Sequence, residues 1–170
     1  MKIAILNGSP RTKNTAAMVN AFAEGAKEAG HEVDILHVGK MQIKECLGCE
    51  YCHKKGNGTC IQKDDMQNVL PMLNEADMLV FATPVYYRSI TTHLSVVIHR
   101  MYPIGKSKKA TKSALLVSSL NPGTWKSIEF YYRDLLELIG LEDCGIRTLY
   151  GEERESEEKL AEIRAFAKTL

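Results

Sequence analysis

The sequence has no long apolar run and no excess of charge of one sign. No stretch approaches the ~20 apolar residues that span a bilayer, and 22 Lys and Arg residues against 21 Asp and Glu leave a net charge of +1. This balance gives no reason to expect nucleic acid or a membrane surface as a partner. The N-terminus enters an apolar run directly, without the features of a signal peptide, so we expect a cytoplasmic protein.

Several catalytic and nucleotide-binding motifs are also absent from the sequence. The first glycine turn is not followed by Gly-Lys-Ser/Thr, and it lacks the second and third glycines of a dinucleotide fingerprint. It is therefore neither a P-loop nor a Rossmann fingerprint. No HExxH or Ser-His-Asp grouping is present, so nothing points to a zinc protease or a serine hydrolase.

Apolar, strand-like runs alternate with helix-like segments along the 170 residues, a length that suits a single domain over residues 1–170. Five such units predict an α/β fold: a doubly wound, five-stranded parallel sheet of flavodoxin-like order 2-1-3-4-5. We predict strands at 2–6, 33–38, 78–82, 114–118 and 145–150, and helices at 15–29, 65–76, 91–102, 125–139 and 153–168. Residues 39–63 show no period and form a cysteine-rich loop.

The first loop is a candidate phosphate site. Ligands of such sheets bind beyond the carboxyl ends of the strands, where the strand order reverses. Loop 7–15 reaches that edge and contains Ser9, Arg11, Asn14 and Thr15. N–H groups at the start of the next helix, its positive dipole end and a guanidinium together suit phosphate. The alternative is an ordinary helix cap, because Ser, Asn and Thr are common capping residues.

The loop at 83–90 follows the third strand and reaches the same edge, as do the cysteine-rich loop and the loop at 119–124. Pro84 stiffens it, and Tyr86 and Tyr87 present flat faces on which a planar heterocycle could stack. Two surface tyrosines that cover helix ends are the alternative. The neighbouring phosphate cradle favours a ligand with both a phosphate and a ring system.

Four of the five cysteines lie within 15 residues, spaced as Cys46-x2-Cys49-x2-Cys52-x7-Cys60. Three closely spaced thiolates, with a fourth brought back by a glycine-containing segment, match [4Fe–4S] ligation better than structural zinc. Zinc sites usually separate two Cys-x2-Cys knuckles by a dozen or more residues. A redox-active disulfide and simple buried thiols are the alternatives.

Together these motifs resemble the NAD(P)H-dependent FMN reductase-like branch of flavodoxin-fold proteins and, within it, the iron–sulfur flavoproteins. The resemblance covers residues 1 to about 102. It rests on three groups of residues. The first is residues 8–11 with residues 14–15, the second is the cysteine loop, which ends in residues 64–66, and the third is residues 83–86, followed by Leu94 and Arg100. The helix after Tyr87 has Ser95 and His99 where the family usually has Lys and Asp.

The resemblance implies how cofactors would be held. The ribityl phosphate of FMN would be bound by Ser9, Arg11, Asn14 and Thr15. The isoalloxazine ring would be lined by Pro84, Val85, Tyr86 and Tyr87. A [4Fe–4S] cluster near the flavin of a neighbouring subunit, in a homodimer or homotetramer, would be held by Cys46, Cys49, Cys52 and Cys60.

We therefore expect an FMN-binding oxidoreductase that is reduced by NAD(P)H or a ferredoxin-type donor and that reduces a quinone, a flavin or another small acceptor. The flavin carries the chemistry, so no catalytic side chain is predicted. One alternative is a flavodoxin-like electron carrier without its own substrate, which the net charge of +1 disfavours because such carriers are usually acidic. The other is a zinc or redox sensor built on the cysteine loop.

Overall fold

A parallel sheet of apolar strands lies at the centre of the fold. The computed structural model describes all 170 residues apart from the side chain of Glu155. Within it the strands are β1 (Lys2–Asn7), β2 (Glu32–Leu36), β3 (Met78–Pro84), β4 (Lys112–Ser119) and β5 (Glu142–Tyr150). They pair in the order β2-β1-β3-β4-β5, and every pair is parallel. The predicted α/β fold and strand order are confirmed.

Helices cover both faces of this sheet. They are α1 (Asn14–Glu28), α2 (Tyr51–Lys54), α3 (Met66–Glu75), α4 (Thr92–Arg100), α5 (Lys126–Ile139) and α6 (Glu157–Ala167). Ile3 and Ile5 of β1 pack in a core with α1 and α6, whereas Ala4 and Leu6 pack in a core with α3, α4 and α5. Successive strand residues point to opposite faces, so strands buried on both faces are continuously apolar. None of the described helices combines the length and apolar character needed to cross a membrane.

Some element boundaries differ from the predicted ones. The last helix begins at Glu157 rather than at 153, because Ser156 caps it by accepting a hydrogen bond from the Lys159 N–H. The five residues before Ser156 form a 3-10 turn, Gly151–Glu155. The fifth strand begins three residues earlier than predicted, at Glu142 rather than 145. The 3-10 turn shapes the functional edge, since it carries Arg154 towards the first loop.

Candidate functional site

Hydrogen bonds hold the first and third loops together at the carboxyl edge of the sheet. The Gly8 N–H donates to the Ala82 carbonyl at 2.9 Å. The Thr91 hydroxyl donates to the Gly8 carbonyl at 2.8 Å and accepts from the Leu94 N–H, which caps α4. A Cβ at Gly8 would lie 2.7 Å from both Leu94 Cβ and Thr91 Oγ1, so only glycine fits without a shift. These contacts fix the spacing between the two loops.

The start of α1 makes one end of the pocket positive. No side chain caps this helix within the part of the chain that is described, and its first turn contains no acidic residue. The first intrahelical bond runs from the Ala17 N–H to the Lys13 carbonyl at 2.9 Å. Arg11, Lys13 and Arg154 line the adjoining pocket. Helix N–H groups, the helix dipole and three cations therefore favour an anion at this end.

The structure brings most of the predicted flavin residues around one pocket. That pocket is lined by Ser9, Arg11, Asn14, Thr15, Pro84, Val85 and Tyr86, together with Lys13, Ser118, Ser119, Leu120 and Arg154. Sequence reasoning did not single out the last five. Ser118 and Ser119 could have been found, because Ser118 ends a predicted strand and Ser119 begins the loop that follows it at the edge expected to bind ligand. Arg154 could not, since it lies where a helix was predicted.

Two of the predicted hydroxyl groups are already hydrogen-bonded within the protein. Ser9 Oγ accepts from the Arg11 N–H and donates to the Arg11 carbonyl, both at 3.1 Å. Thr15 Oγ1 lies 2.7 Å from Ser118 Oγ. Ser9 therefore shapes the loop around Arg11, and Thr15 joins α1 to the end of β4. The cationic side chains, the helix N–H groups and the Asn14 amide, which lines the same pocket, are donors that remain for a phosphate.

A tight turn gives the two predicted tyrosines, which are adjacent in sequence, different surroundings. Tyr86 and Ser89 exchange two backbone hydrogen bonds at 3.0 Å, and the residues between them, Tyr87 and Arg88, have φ values of 49° and 60°. This is the backbone of a type I′ hairpin turn, which usually contains Asn or Gly. Tyr86 lines the pocket, with the Arg11 guanidinium carbon 6.0 Å from its ring centroid. Tyr87 lies at the tip, fully exposed and outside the pocket.

The Val85 and Tyr86 N–H groups are not free to meet the polar edge of a ring. The Val85 N–H donates to the Ser118 carbonyl at 2.9 Å, and the Tyr86 N–H donates to Ser89. Pro84 has no N–H to offer. These residues therefore offer a bound ring an apolar and aromatic wall and no free N–H donor.

The cysteine-rich loop is closed at its base. The Gln42 N–H donates to the Asp65 carboxylate at 2.7 Å, and the Lys44 N–H donates to the Asp64 carboxylate at 3.1 Å. The Gln62 side-chain amide donates to the Glu45 carbonyl at 2.8 Å. Residues 42–45 and 62–65 thus lie side by side, and the segment with the four cysteines projects between them.

A buried ion pair anchors this base to α4. Arg100, the last residue of α4, donates to both carboxylate oxygens of Asp64, at 2.7 and 3.1 Å, and to the Lys44 carbonyl at 2.6 Å. The Arg100 and Asp64 side chains are 1% and 5% exposed. Burial by itself would raise the pKa of Asp64, but hydrogen bonds from Arg100, Lys44 and Met66 outweigh it and hold that pKa below its ordinary value.

The four loop cysteines share one cavity with Arg100. Cys46 and Cys49 are exposed, Cys60 is half-buried and Cys52 is buried, which raises the pKa of the Cys52 thiol. All five cysteines of the described chain are free thiols. The described side chains contain no group of three or more His, Cys, Asp or Glu residues placed to hold a single metal ion.

The donor set nevertheless suits an iron–sulfur cluster in its chemistry. Four thiols lie around one cavity, and a buried cation adjoins them, which suits an anionic cluster. The cavity that these cysteines line together with eight other residues has a volume of only ≈ 20 Å³. A cluster would need more space than this cavity offers, so the loop that contains the exposed Cys46 and Cys49 would have to rearrange around it.

The known proteins that this chain resembles in sequence are an FMN reductase family and iron-sulfur flavoproteins. A family model described as NADPH-dependent FMN reductase matches residues 1–129. An iron-sulfur flavoprotein of Archaeoglobus fulgidus is 42% identical over 100 residues, which are 59% of this chain and 48% of that protein. The match thus spans about half the length of that relative. A second iron-sulfur flavoprotein of the same organism is 30% identical over 154 residues, which are 89% of this chain and 69% of that protein.

The fold also has a solved counterpart. The NAD(P)H:quinone oxidoreductase of Methanothermobacter marburgensis superimposes with a TM-score of 0.77 at 20% identity, over 99% of this chain and 95% of that one. At that identity the likeness concerns the fold alone. The family model, in contrast, covers residues 1–129 of 170 and so well over half of the sequence. This chain therefore belongs to the NADPH-dependent FMN reductase family.

Proposed function

We propose that this protein is an FMN-binding oxidoreductase that takes electrons from NADH or NADPH and passes them to a quinone, a flavin or another small acceptor. One observation carries the proposal: a single pocket joins the uncapped start of α1 and three cationic side chains to the Pro84–Tyr86 wall. The first end suits a monophosphate and the second a planar ring. Membership of an FMN reductase family makes FMN the natural ligand with both parts.

The protein's own contribution would be binding and orientation, since FMN, when bound, supplies the electron-transfer chemistry. The N–H groups at the start of α1 would donate to the phosphate, and Arg11 and Lys13 would balance its charge. The contact between Gly8 and Thr91 keeps this end at a fixed distance from the third loop. A ligand anchored by its phosphate would therefore place its ring beside Tyr86.

The test is to load purified protein with FMN, remove free flavin, and add NADH or NADPH without oxygen. We expect flavin to stay with the protein and its visible absorbance to be bleached by at least one of the two nicotinamides. Protein that retains no flavin would contradict the central proposal. Flavin that is reduced by ferredoxin but by neither nicotinamide would instead indicate an electron carrier.

We also propose that the loop cysteines hold a [4Fe–4S] cluster that acts as a one-electron relay. Their common cavity, the closed base of the loop and the names of the relatives support this. A four-iron cluster binds one cysteine per iron, so its sulfurs need not all lie about 2.3 Å from one ion, as zinc ligands do. The free thiols also fit a reducing compartment such as the cytoplasm.

Metal analysis of anaerobically prepared protein tests the cluster. We expect iron and acid-labile sulfide in equal amounts, and we expect Cys52→Ser to lose both. Cys144→Ser is the matched control, because Cys144 is a free thiol outside the loop and its loss should leave the iron content unchanged. Zinc without sulfide would support the sensor alternative and would overturn the cluster.

We propose, finally, that the protein works as a homodimer or homotetramer. Apolar side chains on the outer face of α5 support this, because Phe130 and Leu138 are 75% and 81% exposed. Light scattering on the purified protein should give a mass of two or four chains. A mass of one chain at micromolar concentration would refute it.

A further inference from the structure

Arg100 has one donor group that the protein does not use. Its two Nη atoms donate to Asp64 and to the Lys44 carbonyl. Its Nε–H is buried and has no hydrogen-bond partner in the part of the chain that is described. A buried donor without a partner is rare in folded proteins and calls for an explanation.

The same side chain lines the cavity of the four loop cysteines. Burial by itself would lower the pKa of Arg100, but the Asp64 carboxylate and, after it, Cys60 outweigh burial and hold that pKa above its ordinary value. Cys60 and Arg100 both lie in the wall of that small cavity. The unused donor and the cation therefore adjoin the place where sulfur ligands would carry negative charge.

On the basis of the cluster site proposed above, we propose that Arg100 is a positioning residue for it. Its Nε–H donates a hydrogen bond to the Cys60 sulfur of the loaded site, and this contact raises the reduction potential of the cluster. One-electron reduction adds a negative charge to the cluster and its thiolates. A hydrogen-bond donor and a cation stabilise that charge, and hydrogen bonds to the sulfurs are among the factors that set such potentials.

The bonds to Asp64 and Lys44 explain why an arginine stands here. They occupy the outer edge of the guanidinium and hold the group in one orientation. The Nε edge is then available on a rigid plane. Lysine offers a single charged nitrogen on a flexible chain and cannot serve both sides in this way.

The test compares Arg100→Lys, Asp64→Asn and wild type after anaerobic cluster reconstitution. For each, iron, sulfide, thermal midpoint and the cluster potential in an EPR-monitored redox titration are measured. Arg100→Lys keeps the charge and removes the donor. We expect it to lower the equilibrium constant for cluster reduction about tenfold, which is about 59 mV for one electron.

Asp64→Asn separates this role from closure of the loop. It weakens the base of the loop but keeps the Nε–H, and it removes a negative charge. We therefore expect the potential to stay the same or to rise. Arg133→Lys is the matched control, since it makes the same chemical change at an exposed arginine paired with Asp143, and it should leave the potential unchanged.

The possible results distinguish failure of the role proposed for Arg100 from failure of the cluster proposal. A wild-type potential in Arg100→Lys, or an equal fall in Asp64→Asn, overturns the inference while the cluster proposal stands. Wild-type protein without iron and sulfide overturns both and is recognised before any variant is made. If Arg100→Lys does not fold, Arg100→Met with Asp64→Leu replaces the pair by apolar side chains, a change that buried ion pairs often tolerate. This double variant should show the same fall in potential.

Discussion

Removal of the two arginines at the phosphate end should separate the binding of FMN from that of riboflavin. Arg11 and Arg154 line the pocket beside the start of α1, and riboflavin lacks only the phosphate. A hydrogen bond to a charged group contributes ≈ 1.5–3 kcal/mol. We take the lower end, because Arg11 is exposed to solvent. Since 1.4 kcal/mol is about a factor of ten, Arg11→Ala should raise the FMN Kd about tenfold and the double variant about a hundredfold.

Flavin fluorescence titrations can measure both ligands under identical conditions. The riboflavin Kd should change by less than about twofold in either variant, since the Pro84–Tyr86 wall is untouched. The difference between the ligands should shrink as salt is added, because exposed charges are screened over ≈ 8 Å at physiological ionic strength. Arg133→Ala serves as the control: this exposed arginine pairs with Asp143, at the start of β5 and so at the opposite edge of the sheet.

Two outcomes of these titrations would contradict the predicted difference between FMN and riboflavin. Equal weakening of both ligands would show that the arginines shape the pocket and do not hold the phosphate. Unchanged FMN binding in the double variant would place the phosphate elsewhere. Either result would refute the assignment of the positive end of the pocket.

Three further changes test the packing that holds the two sites. Gly8→Ala should lower the free energy of unfolding by about 1–3 kcal/mol, because its Cβ would lie 2.7 Å from Leu94 Cβ and Thr91 Oγ1. Thr91→Val removes the cap of α4 and should lower it by about 0.5–2 kcal/mol. Asp64→Ala leaves the Arg100 charge buried and should lower it by about 3–5 kcal/mol. Burial raises the pKa of Asp64, but its hydrogen bonds lower that pKa by a larger amount, so it lies below the ordinary value. The ion pair with Arg100 therefore stabilises the fold fully above about pH 4, the pKa of an unfolded Asp, and this stabilisation is lost as pH falls through the folded pKa.

Chemical denaturation measures all three, and variants at exposed positions serve as controls. Thr92→Val and Asp134→Ala change side chains of the same types at exposed positions, so each should alter the free energy of unfolding by less than about 0.5 kcal/mol. An Asp64→Ala variant as stable as its control would show that the ion pair does not close the loop. If the denaturation midpoint of Asp64→Ala fell with decreasing pH as steeply as that of wild type, the lowered pKa of Asp64 would be contradicted.

The sheet and the pocket could be predicted because they follow from local patterns and general topology. Continuous apolar runs mark strands buried on both faces, and the strand order places the first and third loops at one edge. Seven of the eight residues expected around FMN do line one pocket. Their contact with a ligand stays a prediction, as does the cluster on the four cysteines.

The features of the two sites that could not be predicted depend on tertiary contacts and on an unusual turn. Tyr87 lies outside the pocket because it and Arg88 adopt positive φ in a two-residue turn without the glycine or asparagine that would have indicated it. The pair of Arg100 and Asp64 joins residues 36 positions apart, and no sequence period reveals such a contact. Arg154 reaches the pocket only because the chain forms a 3-10 turn before Ser156.

Helix α4 connects the two candidate sites of the chain. Its cap, Thr91, holds the first loop through the Gly8 carbonyl, and its last residue, Arg100, holds the base of the cysteine loop. The helix itself has nine residues, Thr92–Arg100, and at about 1.5 Å per residue it is about 14 Å long. Because Leu94 and Val97 are buried in the core, α4 cannot shift without disturbing the packing on that face of the sheet. The distance between the proposed flavin pocket and the cysteine loop of one chain is therefore set by a packed helix rather than by either loop.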